Sequence, residues 1–312
     1  MNVRNTTLAA LSFVLAAGCM HNRQQADFQQ GGSSPPEFAG TTTAQASAPA
    51  QPDQAAPDSV ERADKLIGEP VLSSDQQRTG KIDDFVLDQD SGRILYAVIG
   101  IGGVLGVGET RVAVPPGAFT QAKKGDVRLK VDKHKVTQAP QITRDLDQNL
   151  STNLLNNVDG YFGQTPSWQP AAGSTTAWFK AVRKASELIG VAVLDKERQS
   201  IGKVQTLVLN VPRGRELFVV LAPGSELNLG NNYYALPPSA VKLAPDQKTL
   251  LADVTREKLA NAPHFAKDNW PELSDTAWAQ KVYQYYGQPA TFETGTLQPT
   301  GRTQTSAPDQ KH

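Results

Sequence analysis

From about residue 60 the chain alternates short apolar runs with turn residues, a β pattern rather than that of long helices. In the first stretch, strands are predicted at 70–72, 81–87, 93–99, 111–114 and 127–132. Asp90-Ser91-Gly92 and, later, Pro212-Arg213-Gly214 each fall between two strands, supplying turn initiation and a glycine free to take positive φ. Pro115-Pro116 and Pro237-Pro238 each remove two backbone donors and end the strand before them. Five or six strands in about 75 residues cannot bury two faces as an open sheet, and closure into a small barrel hides the edges.

The pattern occurs twice. Leu66-Ile67-Gly68 recurs as Leu188-Ile189-Gly190, an offset of 122 positions (66 to 188). At the same offset Gly80-Lys81-Ile82 meets Gly202-Lys203-Val204, and Phe85-Val86-Leu87-Asp88 meets Leu207-Val208-Leu209-Asn210. Gly92-Arg93 likewise meets Gly214-Arg215, and Val114-Pro115-Pro116 meets Leu236-Pro237-Pro238. Such a series signals an internal duplication. It extends past the strands, since Val158-Asp159-Gly160-Tyr161-Phe162-Gly163 is echoed by Val282-Tyr283-Gln284-Tyr285-Tyr286-Gly287. Residues 273–286 have helical spacing, with Trp278, Val282, Tyr285 and Tyr286 near one face.

The motifs of the first copy carry a family resemblance. Leu-Ile-Gly, Gly-Lys-Ile, Gly-Arg, the stretch Gly102-Gly103-Val104-Leu105-Gly106-Val107-Gly108-Glu109 and then Val112-Ala113-Val114-Pro115 resemble the PRC-barrel family. The resemblance covers 60–140 well and 184–263 more loosely, where the glycine-rich stretch becomes Gly224-Ser225-Glu226-Leu227-Asn228-Leu229-Gly230. It implies a small six-stranded barrel that works through protein contacts, as in the photosynthetic reaction-centre H subunit and a ribosome-maturation factor. The expected fold is mainly β: two tandem PRC-type barrels with short helical, aromatic arms.

The N-terminus adds a location. Arg4 precedes an apolar run over 8–17, too short to span a bilayer and suited to a signal-peptide core. Leu15-Ala16-Ala17-Gly18-Cys19 resembles the lipobox of bacterial lipoproteins, although Ala16 stands where Leu is commoner. The resemblance implies cleavage before Cys19 and acylation of it; an ordinary secretory signal with an incidental cysteine is the plainer alternative. Met20, rather than Asp, then favours the outer membrane. Cys19 is the sole cysteine, so once acylated it leaves a chain held by packing alone, without a disulfide.

The expected organisation is a signal peptide (1–18), a disordered tether (19–60), a first barrel (61–140) and an arm with linker (141–183). A second barrel (184–263), an aromatic helical arm (264–289) and a disordered tail (290–312) follow. The tether is rich in Gln, Ala, Pro, Ser, Thr and Gly and lacks the apolar periodicity that offsets ordering entropy.

Charge and candidate chemistry narrow the function. Lys plus Arg and Asp plus Glu number 31 each, and loss of Arg4 with the signal leaves one excess acid. That balance, without a basic run, offers no electrostatic footprint for nucleic acid. The glycines from 100 to 108 lie between β segments, not before a helix, so they are read as a loop rather than a phosphate cradle. Asp88-Gln89-Asp90-Ser91-Gly92 opens like a calcium loop, but the twelfth position is Ile99, which leaves a hairpin turn. Asp83 and Asp84 are neighbours on a strand and point to opposite faces, so they are not an acid/base pair. His21, His134, His264 and His312 are scattered, no metal set is spaced for binding, and no Gly-x-Ser-x-Gly elbow occurs. No cofactor is expected.

All four tryptophans lie in the arms or linker. Trp168, Trp178, Trp270 and Trp278, with Tyr285 and Tyr286, either pack over barrel ends or form an aromatic surface for a partner. The expected function is a non-enzymatic scaffold on the periplasmic face of the envelope, with an envelope protein as partner. The alternative is a small-ligand or stress-sensing lipoprotein, with a hydrolase third. Replacing Cys19 with Ala is expected to abolish lipid labelling and release the protein into the soluble fraction; retention in membranes contradicts the anchor.

Overall fold

The apolar run 94–99 needs cover on both faces, and both are covered. The protein's structure, a computed structural model, describes residues 59–102, 108–120, 127–143, 151–166 and 181–289, all within the unit Gln51–His312. Cys19, Trp168, Trp178, the signal peptide, the tail and the tether up to residue 58 lie outside the described residues. The first half holds strands β1 (Val60–Arg62), β2 (Pro70–Leu72), β3 (Arg78–Asp88), β4 (Arg93–Ile101), β5 (Thr110–Val114) and β6 (Val127–Arg128). Helical turns α1 (Ala63–Leu66) and α2 (Lys133–Thr137) and helix α3 (Thr152–Phe162) accompany them. The second half holds β7 (Val182–Lys184), β8 (Ala192–Leu194), β9 (Ser200–Asn210), β10 (Arg215–Pro223), β11 (Asn232–Leu236), β12 (Val241–Leu243), β13 (Leu250–Ala252) and β14 (His264–Ala266). Its helical elements are α4 (Ala185–Leu188), α5 (Arg256–Ala260) and α6 (Thr276–Tyr285).

The protein is mainly β, with one curled sheet running through both halves along β12-β13-β8-β9-β10-β4-β3-β2-β6. β2 pairs with β6, and β8 with β13, in parallel; the other ladders are antiparallel. Several expected boundaries move. The strand expected over 127–132 stops at Arg128, and Asp132 caps α2 by accepting a bond from the Lys135 N–H at 2.8 Å. The arm expected from 264 begins as a strand, β14, paired with β11. The helix expected over 273–286 starts at Thr276, because Asp275 accepts from the Ala277 N–H at 2.9 Å and caps it.

The largest difference lies at the starts of the two copies, each of which pairs with the other half. β1 adds to β9 in the register Val60↔Asn210, Glu61↔Leu209, Arg62↔Val208. Reciprocally, β7 adds to β3 as Asp88↔Val182, Leu87↔Arg183, Val86↔Lys184. The two registers map onto one another under the 122-position offset (60 to 182, 88 to 210), so they describe a pseudo-two-fold relation. Arg93 pairs with its own equivalent, Arg215, where β4 meets β10. Beside that pair Ile94 donates to the Gly214 carbonyl at 3.0 Å and Glu216 to the Gly92 carbonyl at 2.9 Å.

This exchange completes the edge of a long strand. β2 covers only residues 78–81 of β3, and Ile82 bonds to Gly68 and Glu69. Beyond it β3 would expose unpaired backbone, which β7 caps over 86–88. The turn glycines serve the same seam. Gly92 and Gly214 take φ of +62° and +63°, and a Cβ on either would lie 3.1 or 3.2 Å from the Cβ of Pro238 or Pro116 in the opposite half. Gly80 and Gly202 have a different reason: a Cβ there would sit 2.3 or 2.1 Å from the carbonyl oxygen of Gly100 or Ala222 on the adjacent strand.

One core cluster spans both halves, including Phe85, Ile94 and Ile99 with Leu207, Val219 and Leu236. A second lies under α3, where Leu155 and Val158 cover Val86, Leu95, Tyr96 and Val98 on the other face of the first-half sheet. α3 is capped by Ser151, whose hydroxyl accepts from the Leu154 N–H at 3.1 Å, and it ends at left-handed Gly163.

Glu216 stands out in this core. It is 4 % exposed, occupies the position of Ile94, and neither carboxylate oxygen has a hydrogen-bond partner among the described residues. Burial pushes its carboxyl up from 4.5 to about 8. A raised acid contributes stability that is fully present below about pH 4.5 and declines until about pH 8. The unfolding free energy is therefore expected to fall across that window by an amount on the order of a few kcal/mol. Glu216→Gln should flatten the profile; an unchanged slope in that variant contradicts the assignment.

Candidate functional site

Because β1 lies on the second half, it carries α1 there too, and a cleft opens between this first-half segment and residues 270–273. The cleft measures about 450 Å³. Leu66, Trp270, Pro271 and Leu273 form its apolar part, while Glu61, Glu69, Glu272, Arg62 and Lys65 supply charge. Arg62 is the central contact. Its guanidinium carbon stands 4.4 Å from the Trp270 ring centroid, a cation–π geometry, and Nη2 pairs with Asp64 at 3.0 Å.

Trp270 is held from behind. Its indole N–H donates to the Lys267 carbonyl at 3.1 Å, and its ring lies 4.8 Å from Phe265 and 5.5 Å from Tyr233. The aromatic contacts continue inward through Phe265 to Trp278 (6.1 Å), Trp278 to Phe218 (5.0 Å) and Phe218 to Tyr283 (5.6 Å). The Tyr283 hydroxyl ends the chain by donating to the Leu217 carbonyl at 2.9 Å. A rigid aromatic stack thus reaches from the core to the cleft wall.

The structure separates the expected aromatic residues. Trp270 and Trp278 are both half-buried against the core, and of the two it is Trp270 that lines the cleft. Tyr285 donates to the Lys258 carbonyl at 2.6 Å, and Tyr286 is buried, with burial raising its phenol pKa. Tyr161 makes the equivalent of the Tyr285 bond, to the Lys135 carbonyl at 2.8 Å. Trp168 and Trp178 lie outside the described residues. Arg62, Glu61, Lys65, Glu69 and Glu272 went unnoticed in the sequence; Leu66 belongs to a repeated motif, but nothing local places that motif beside Trp270.

The halves differ at matching sheet positions. In the first, Arg111 pairs with Asp83 (2.8 Å) and Glu109 (2.9 Å), and Lys81 with Glu109 (3.3 Å) and Asp83 (3.6 Å). A Cβ on Gly100 would fall 2.4 Å from Glu109 Oε1, so the glycine makes room for this network. The second half has Lys203, Gln205, Asn231 and Tyr233 there, and Tyr233 joins the aromatic stack instead. Asp83 faces Arg111 while Asp84 faces Ser186, which keeps the two carboxylates apart. His134 and His264 lie on α2 and β14. Among the described residues no group of three or more His, Cys, Asp or Glu is placed to hold a metal.

Comparison with known families fits the first half. A family model described as PRC-barrel domain matches residues 58–138, so a PRC-barrel domain occupies the span from just before β1 through α2. No curated protein matches the chain. Among the described residues no helix is long and apolar enough to cross a membrane.

Both tryptophans are half-buried against the same core, so Trp270→Ala and Trp278→Ala are each expected to cost about 1–3 kcal/mol of unfolding free energy. Denaturant titrations that show no loss in either variant contradict their place in the aromatic contacts.

Proposed function

We propose that this chain is a non-enzymatic protein-interaction module of the bacterial cell envelope, lipid-anchored through Cys19 at the periplasmic face of the outer membrane. In this reading each half is one PRC-type barrel and an envelope protein is the partner. The PRC-barrel domain suggests an interaction module. The observation that carries the proposal is the cleft shared by both halves, with Trp270 braced by Phe265 and Tyr233 and half-buried at its wall. A rigid aromatic beside mixed charges is what a protein contact uses as an anchor with a polar rim.

A second reading rests on the same cleft. Its size suits a small molecule, and the Trp270–Arg62 pair offers a flat apolar face with a positive charge over it. The readings part in one experiment on the lipidated protein in its own envelope. A photo-crosslinker at Leu273 is expected to capture one protein neighbour, with the adduct lost in a Trp270→Ala background. If no protein is captured and a small molecule instead raises the melting temperature, the ligand reading replaces the scaffold.

A further inference from the structure

Two side-chain pairs lock the reciprocal seam, and they are chemically crossed. Thr206 of β9 donates its hydroxyl to Asp64 at 2.5 Å and accepts the Asp64 backbone N–H at 3.3 Å. At the pseudo-equivalent place the Ser186 hydroxyl donates to Asp84 of β3, and the Ser186 N–H donates to the same carboxylate at 3.1 Å. Each pair therefore ties a short helical turn of one half to a strand of the other. Arg62 and Lys184, which precede these turns, have no side-chain acceptor, so the Asp64 and Ser186 N–H groups find theirs across the seam, while Glu187 accepts locally from the Lys184 N–H at 3.3 Å.

The offset relates Asp64 to Ser186 and Asp84 to Thr206. As built, each contact joins one carboxylate to one hydroxyl. Two first halves paired by this geometry would instead set Asp64 against Asp84, two carboxylates that either repel or must take up a proton, one of them on a residue only 7 % exposed. Two second halves would set Ser186 against Thr206, a contact between two neutral hydroxyls in place of a charge-assisted hydroxyl–carboxylate bond. The last residue of each crossing strand is basic and stands near a contact, Arg62 beside Asp64 and Lys184 near Asp84, so this feature does not distinguish the halves.

We propose that the seam is a heterotypic pairing surface: the crossed Asp64–Thr206 and Ser186–Asp84 contacts make each half accept the other half and reject a copy of itself. A surface that would otherwise join like halves of different chains is thereby directed to the complementary half.

Exchanging residues between the halves tests this in the full chain without altering composition or net charge. D64S/S186D and D84T/T206D each create one carboxylate–carboxylate and one hydroxyl–hydroxyl contact. The fourfold exchange D64S/D84T/S186D/T206D restores carboxylate–hydroxyl contacts at both places with their sense reversed. At pH 7.5 both double exchanges are expected to melt about 5 °C or more below the native chain, and the fourfold exchange to recover at least half of that loss. As the pH falls and the facing carboxylates take up a proton, the penalty of the double exchanges should shrink. Double exchanges as stable as the native chain, or a fourfold exchange no better than they are, overturn the proposal. A double exchange that fails to fold leaves the fourfold variant as the deciding measurement, and failure of that variant also overturns it.

Discussion

The reciprocal edge pairing is the constraint from which the rest follows. β3 and β9 are long, and β2 and β8 cover only part of each outer edge. Bare strand edges are costly when buried and hazardous when exposed. Each half supplies the missing strand to the other, β7 to β3 and β1 to β9. The halves consequently share one sheet and one core cluster. The same exchange brings α1 beside Trp270 and so creates the cleft.

Once the halves are joined in this way, divergence between them becomes useful. Equivalent positions hold an ion-pair network around Glu109 in the first half and an aromatic stack through Tyr233 in the second. Near the joint, Ile94 is matched by Glu216, a buried acid held above its ordinary range by desolvation. Duplicated backbone with unlike side chains gives one chain two distinct faces.

The duplication and most strands were legible because turn glycines, Pro-Pro pairs and apolar runs are local signals. Gly80-Lys81 and Gly202-Lys203 mark strands whose neighbours pass too close for a Cβ, and Gly92 and Gly214 mark tight turns. What those motifs touch was not legible. Pro116 rests on Gly214 and Pro238 on Gly92, contacts between residues far apart in sequence whose significance depends on the seam. The aromatic site was half legible: Trp270 and Trp278 both pack half-buried against the core, and it takes the structure to show that Trp270 also lines the cleft. Arg62 escaped because a lone arginine before a short helical turn carries no signal until β1 is known to cross over. Val60, expected at the end of a tether, proved to open that crossing strand.

Calorimetric unfolding of the protein separates one shared fold from two independent ones, since with a shared sheet and core neither half unfolds alone. A single transition is expected, with van't Hoff and calorimetric enthalpies equal. Two resolved transitions, or a van't Hoff enthalpy near half the calorimetric value, would contradict it and return the halves to independent domains.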